Sequence, residues 1–251
     1  MADRPHRMPD LPPLRPLTRL KAAVFETPAI LMATVSLTIA ITLAVLPDAA
    51  PAQVKVAVPT SGETQAALAL AGDARRGKDA FGECQSCHRR DASGRGNAGI
   101  PRLSGQHASV IIKQIMDIRS GSRVNPDMKD FVVDPELTLQ NFADIAAYLE
   151  SLPVVGPLSK GPPELLPRGK ALFEKDCAPC HGEKGEGRPE LFHPMVASQH
   201  YSYLLRELDL IRDGGRGNSN PAMPPILKSY SADDRRAVAA YMAQLPAPAR
   251  R

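Results

Sequence analysis

All four cysteines of this 251-residue chain fall into two five-residue patterns. These are Cys84-Gln85-Ser86-Cys87-His88 and, ninety-three positions later, Cys177-Ala178-Pro179-Cys180-His181. Two thiols at this spacing reach the two vinyl groups of one porphyrin, and the histidine that follows holds its imidazole against one face of the iron. The spacing predicts two covalently attached haem c groups with His88 and His181 as proximal ligands. Zinc would need a second ligand pair at regular spacing, which neither half has. A disulfide inside either pattern would close a very tight loop and leave the repeated histidine unexplained.

The sixth ligand decides what such a site does. A methionine closes the iron and raises its potential, giving a relay, whereas an open position admits a reactant. The two halves can be superposed to choose among the methionines. Met116 aligns with Asp209 and Met195 with Arg102, so neither recurs. Met128, in Asn125-Pro126-Asp127-Met128, matches Met223, in Asn220-Pro221-Ala222-Met223, after a two-residue insertion. Both follow a Gly-rich loop and are the predicted distal ligands. Met116 and Met242 lie within helical patterns and are expected in the core. His107 and His200 also recur and would give bis-histidine sites of lower potential. Each begins a helix nineteen residues after its proximal histidine, where a position near the surface is expected. His193, with no counterpart, is expected in a loop.

A ligating imidazole needs a partner for its second nitrogen. Pro101 and Pro194 follow the proximal histidines at the same thirteen-residue interval, and their carbonyls are the candidates. Arg119 with Arg212, and Arg123 with Arg216, either pair with haem propionates or face solvent. Tyr148 and Tyr241 are expected to pack on the porphyrins.

The elements that position these residues repeat as well. Gly77-Lys78 and Phe81 recur as Gly169-Lys170 and Phe173, Gln106-His107 as Gln199-His200, Tyr148 as Tyr241, and Leu152-Pro153 as Leu245-Pro246. Two units follow, 73–153 and 164–246, joined by a Pro/Gly-rich linker, 154–163. Each is predicted to hold three helices. The first runs from Asp73 to about Cys87, or from Glu164 to about Cys180. The second runs from His107 to Gly121, or from His200 to Gly214, with apolar residues at helical spacing. The third starts at Thr138 or Ser231 and stops before Pro153 or Pro246. No segment alternates as a strand, so the class is all-α.

Residues 1–52 read differently. Arg4, Arg7, Arg15, Arg19 and Lys21 precede an uncharged apolar run, 28–46. Basic residues before such a run stay in the cytoplasm, so the remainder is exported. Ala50-Pro51-Ala52 suits signal cleavage, while the length of the run suits a retained membrane anchor; both place the cysteines in the periplasm. Residues 53–72, rich in Ala and Pro, are expected to be a tether with one short helical turn near 65–70. Aromatic residues make up 4% of the chain and Trp is absent, a thin supply for a conventional core that two porphyrins would supplement. The net charge of +4, without a Lys/Arg stripe, argues against nucleic acid as a partner.

With both C-x-x-C-H motifs, Pro101/Pro194, the Gly105-Gln106 segment and Met128/Met223 in place, each half resembles a class I cytochrome c domain. The tandem resembles the dihaem cytochrome c4 family over about residues 73–246. Ser198 in place of Gly105, and the long apolar N-terminus, depart from it. The resemblance implies two domains related by a pseudo-twofold axis, with propionate edges near one another. It also implies periplasmic electron transfer between respiratory components, often towards a terminal oxidase. A quinol-oxidising complex or a dehydrogenase would be the donor. The rival reading is a dihaem peroxidase or sulfur-compound oxidase, which requires one site without a methionine. A third makes the chain the cytochrome subunit of a membrane dehydrogenase.

Overall fold

The computed structural model describes residues 61–156 and 158–249. The leader or anchor assigned to 1–52, with its apolar run 28–46, lies outside the described residues. Among these, no helix is long and apolar enough to cross a membrane. Both halves belong to one compact unit.

The first half begins earlier than the sequence suggests. Helix α1, Gly62–Leu68, is capped by Ser61, whose Oγ accepts from the Thr64 N–H at 3.1 Å. It buries Thr64 and Ala67 against the domain, and Glu63 meets Arg119 at 3.2 Å. This part of the expected tether is thus a docked helix.

Helix α2, Ala74–Ala80, starts at Asp73, whose carboxylate accepts from the N–H groups of Arg75 and Arg76. The single helix expected from Asp73 to Cys87 is broken by a turn at 81–84, and α3, Gln85–His88, carries the attachment site. In the second half α7, Leu166–Leu172, runs through a π-helical turn, Phe173–Cys177, into α8, Ala178–His181, without interruption. A one-residue difference lies behind this. Two residues separate Phe81 from Cys84, but three separate Phe173 from Cys177. A helix absorbs one extra residue as an i→i+5 turn, so both phenylalanines stay fully buried while both cysteines keep their place.

The expected second and third helices of each half are α4, Ala108–Ser120, with α6, Leu139–Ser151, and α9, Tyr201–Arg212, with α11, Ala232–Gln244. Two short helices were not expected, α5, Pro126–Val132, and α10, Met223–Lys228, which carry Met128 and Met223. Helices α6 and α11 each begin with a reciprocal capping box, Thr138 with Asn141 and Ser231 with Asp234. Among the described residues, extended pairing is limited to two isolated bridges, Arg95 with Ile100 and Arg188 with His193, so the fold is all-α.

The core of each domain lies where α2 crosses α6, or α7 crosses α11. A β-carbon at Gly77 would sit 1.9 Å from the Asp144 carbonyl oxygen, and one at Gly169 2.1 Å from that of Ala237. Only glycine permits these approaches. Phe81, Met116, Phe142 and Leu149 fill the first core, and Phe173, Leu208, Val238 and Met242 the second. Met116 and Met242 are core residues, as their helical spacing predicts.

Backbone conformation repeats further than residue type. Gly105 has φ +76° and its counterpart Ser198 has φ +53°, so the departure from glycine leaves the left-handed turn intact. Arg89, at φ +66° and ψ 162°, holds the conformation that Gly182 adopts at φ +83° and ψ 155°.

Candidate haem sites

The same local construction appears at both attachment patterns. The first cysteine of each, Cys84 or Cys177, is half-buried beside its core, while the second, Cys87 or Cys180, is exposed. Among the described residues no group of three or more His, Cys, Asp or Glu side chains is gathered to hold a metal ion.

His88 and His181 are buried, each with its second nitrogen engaged. His88 Nδ1 lies 3.2 Å from the Pro101 carbonyl oxygen, and His181 Nδ1 3.0 Å from that of Pro194. A carbonyl only accepts, so the proton is on Nδ1 and the Nε2 lone pair remains for a metal. Burial pushes both imidazoles towards the neutral form, His181 down to about 4, where the nearby charge of Arg216 also contributes. The loop that returns the proline to the histidine is closed by backbone bonds. Gly94 N–H donates to His88 O at 3.1 Å, and Gly187 N–H to His181 O at 2.7 Å. A β-carbon at Gly94 would stand 2.4 Å from the Pro101 oxygen, the atom that orients His88.

Met128 and Met223 are both half-buried, at the third position of α5 and the first of α10. Met223 packs against the second core together with Cys177. The side chains packed around Cys84 in the first core do not include Met128. On α5 and at its end, Phe131 and Val133 are 47% and 40% exposed, apolar surface on the element that carries Met128. Paired cysteines and a neutral, oriented imidazole fit haem c in both halves, and in the second half Met223 packs on the same core as Cys177. The tyrosines stand at the same location in each domain, Tyr148 with its ring 5.8 Å from Phe81 and Tyr241 with its ring 5.4 Å from Phe173.

Several repeated polar residues serve a purpose that the sequence did not reveal. They join the two domains, and they do so twice over, by the same contacts with the domains exchanged. Gln199 Oε1 accepts from the Arg102 N–H at 2.9 Å, and its Nε2 donates to Arg102 O at 2.9 Å. Gln106 makes the same pair with Met195 N–H and O, again at 2.9 Å. His107 Nε2 donates to Glu186 O at 2.7 Å, and His200 Nε2 to Ser93 O at 2.8 Å. Ser109 Oγ donates to Pro189 O, and Ser202 Oγ to Gly96 O. His200 is 2% exposed and its Nδ1 accepts from the Ser159 N–H. The expected position of His107 and His200 near the surface is therefore corrected: both start their helices, but against the opposite domain.

The arginines need a correction too. Arg123 reaches across to Glu207 at 3.1 Å and to the Tyr203 hydroxyl, while Arg216 binds Glu207 at 2.9 Å and the Gln114 amide oxygen at 3.1 Å. These side chains are largely buried, and solvent exposure is not their state. Arg119 instead ties α4 to α5 through the Val132 carbonyl, and Arg212 pairs with Asp213 on the same helix end. His193 lies in a loop as expected, its Nδ1 2.9 Å from Cys180 O. A sequence signal for the interface did exist, since Gln106-His107 recurs at a helix start with no local partner to explain it.

Fold and site together define tandem helical domains, each built to attach one haem c. The cytochrome c family profile matches residues 74–153 and 166–246, once in each half. A thiosulfate dehydrogenase electron acceptor of Stutzerimonas stutzeri is 36% identical over 174 residues, 64% of this chain and 78% of the relative. Cytochrome c4 of Pseudomonas aeruginosa is 31% identical over 185 residues, 68% of this chain and 88% of the relative. The crystal structure of reduced recombinant cytochrome c4 from Pseudomonas stutzeri superposes with a TM-score of 0.63 at 28% identity, covering 70% of this chain and all of that one. The chain belongs to the dihaem cytochrome c4 family and is an electron carrier with two covalently bound haem c groups, one on Cys84 and Cys87 and one on Cys177 and Cys180.

Proposed function

We propose that the protein relays electrons outside the cytoplasm between respiratory components, with His88 and Met128 binding one iron and His181 and Met223 the other. When bound, each haem supplies one Fe(II)/Fe(III) couple. The chain's own residues keep that couple simple. Pro101 and Pro194 hold the imidazoles in one orientation, and burial keeps them neutral. Met128 and Met223 would supply the second protein ligand to each iron, which would leave no position for a reactant.

The observation that carries this reading is the equivalence of the two proximal sites, with the same nitrogen on the same carbonyl at 3.2 and 3.0 Å. Nothing in that geometry sets one site apart as a reactive centre, as a peroxidase or sulfur-compound oxidase would need. Rapid peroxide turnover by the holoprotein, or a high-spin haem, would overturn the assignment.

For partners, a quinol-oxidising complex or a dehydrogenase as donor and a terminal oxidase as acceptor fit such a relay. One relative bears the name thiosulfate dehydrogenase electron acceptor, which favours a sulfur-compound dehydrogenase among the donors. Residues 1–52 would export the chain to the periplasm and be cleaved after Ala52 or retained as an anchor. Stopped-flow reduction by a thiosulfate dehydrogenase, compared with a quinol-oxidising complex, tests the donor. The N-terminal mass of the mature protein, in a periplasmic or a membrane fraction, tests the location.

A further inference from the structure

Pro101 O and Arg102 N–H belong to one planar peptide group. His88 Nδ1 donates to its oxygen at 3.2 Å, and Gln199, from the other domain, accepts from its nitrogen at 2.9 Å. The second domain repeats this. Pro194 O holds His181 Nδ1 at 3.0 Å, and the N–H of the same peptide, that of Met195, donates to Gln106 Oε1 at 2.9 Å. We infer that Gln106 and Gln199 are crossed positioning residues: each sets the axial histidine, and through it the redox potential, of the haem in the domain opposite its own.

Two physical effects act along this line. A peptide group bonded at both ends cannot rotate, so the amide of Gln199 fixes the direction from which the Pro101 carbonyl meets His88. Its second bond, from Nε2 to Arg102 O, holds the next carbonyl as well. The bonds also polarise one another: an acceptor on the N–H draws charge onto the carbonyl oxygen of the same peptide and strengthens the bond that the oxygen receives. A stronger acceptor on Nδ1–H makes the imidazole a more basic ligand, which favours ferric iron. Gln106 and Gln199 are themselves buried, 8% and 7% exposed, so water does not replace either amide cheaply. The domain contact thus enters the ligand shell through two hydrogen bonds in series, once in each direction.

The inference rests on His88 and His181 as axial ligands. That reading is tested separately, because a native holoprotein lacking histidine-ligated haem spectra would remove it before any variant is made. The experiment uses the full dihaem protein with Gln199→Met and Gln106→Met, which keep side-chain volume and remove both hydrogen bonds. Each haem is followed in a redox titration by its own hyperfine-shifted methyl resonances. Gln199→Met is expected to raise the potential of the His88 haem and leave that of the His181 haem in place; Gln106→Met is expected to do the reverse. A shift confined to the haem of the glutamine's own domain, an equal shift in both, or no shift overturns the inference. Should either variant fail to fold, hydrogen exchange in the unaltered protein decides: the Arg102 and Met195 amides are expected to exchange as slowly as buried helix amides. Exchange at the rate of exposed loop amides would overturn it.

Discussion

Gln199 in the second domain holds both backbone polar atoms of Arg102 in the first, each at 2.9 Å. Gln106 holds Met195 in the same way. The domain boundary is therefore written largely in backbone atoms, read by amides, imidazoles and hydroxyls at the starts of α4 and α9. Backbone groups are present whatever the side chain, so Arg102 and Met195 occupy equivalent places without resembling each other.

Charged side chains enter this boundary as well, and one cluster of them is buried. Glu207 is buried between Arg123 and Arg216, both mostly buried, at 3.1 and 2.9 Å. Removing the carboxylate strands two cations in a region of restricted solvent. Glu207→Gln is expected to lower the unfolding free energy by about 3 kcal/mol, as for other broken buried pairs. Denaturant titration checks this, and a change below about 0.5 kcal/mol would mean that the arginines find other partners.

Acid should destabilise the protein in a defined window. Arg76, with further bonds from the Asp73 N–H and Gln140, holds the Asp144 carboxyl down to about 2. Burial opposes ionisation of Glu207, but Arg216 and Arg123 outweigh it and keep its pKa below the usual range. Carboxylates with depressed folded values contribute fully above their unfolded pKa, near 4, and lose that contribution as pH falls through the folded value. From these two groups, stability is expected to be flat from pH ~7 to ~5 and to fall between pH ~4 and ~2. Asp144→Asn should flatten part of that fall in chemical denaturation measured across the range.

Arg89 occupies a backbone region that is nearly exclusive to glycine, and Gly182 shows what the site prefers. Arg89→Gly is expected to stabilise the first domain by about 1 kcal/mol, since relief of strain exceeds the added chain entropy. Gly182→Ala should destabilise the second by about 1–2 kcal/mol. Thermal unfolding of the two variants would contradict this if the signs were reversed.

Much of the site was legible because covalent chemistry demands fixed residues at fixed spacing. The C-x-x-C-H motifs, the thirteen-residue interval to Pro101 and Pro194, and the core roles of Met116 and Met242 all emerge from pattern alone. The interface did not, because the recurrence of Gln106-His107 as Gln199-His200 marks the residues without showing which backbone atoms of the other domain they bind. His200 looks like any polar helix start until Ser93 is placed against it. The π-turn at Phe173–Cys177 lay between these cases. Its cause, one extra residue between a phenylalanine and a cysteine, was visible in the repeat, but only packing shows that the helix absorbs the residue and spares the site.

The proposed relay depends on His88 pairing with Met128 and His181 with Met223. It is tested most directly by the methionine–iron charge-transfer band of the fully ferric holoprotein, measured before and after Met128→His and Met223→His. Two closed His/Met sites predict that each substitution removes about half of the band and lowers the potential of its own haem, consistent with replacement of thioether by imidazole. A native protein without the band at either haem, or a substitution that leaves band and potentials unchanged, would contradict the account.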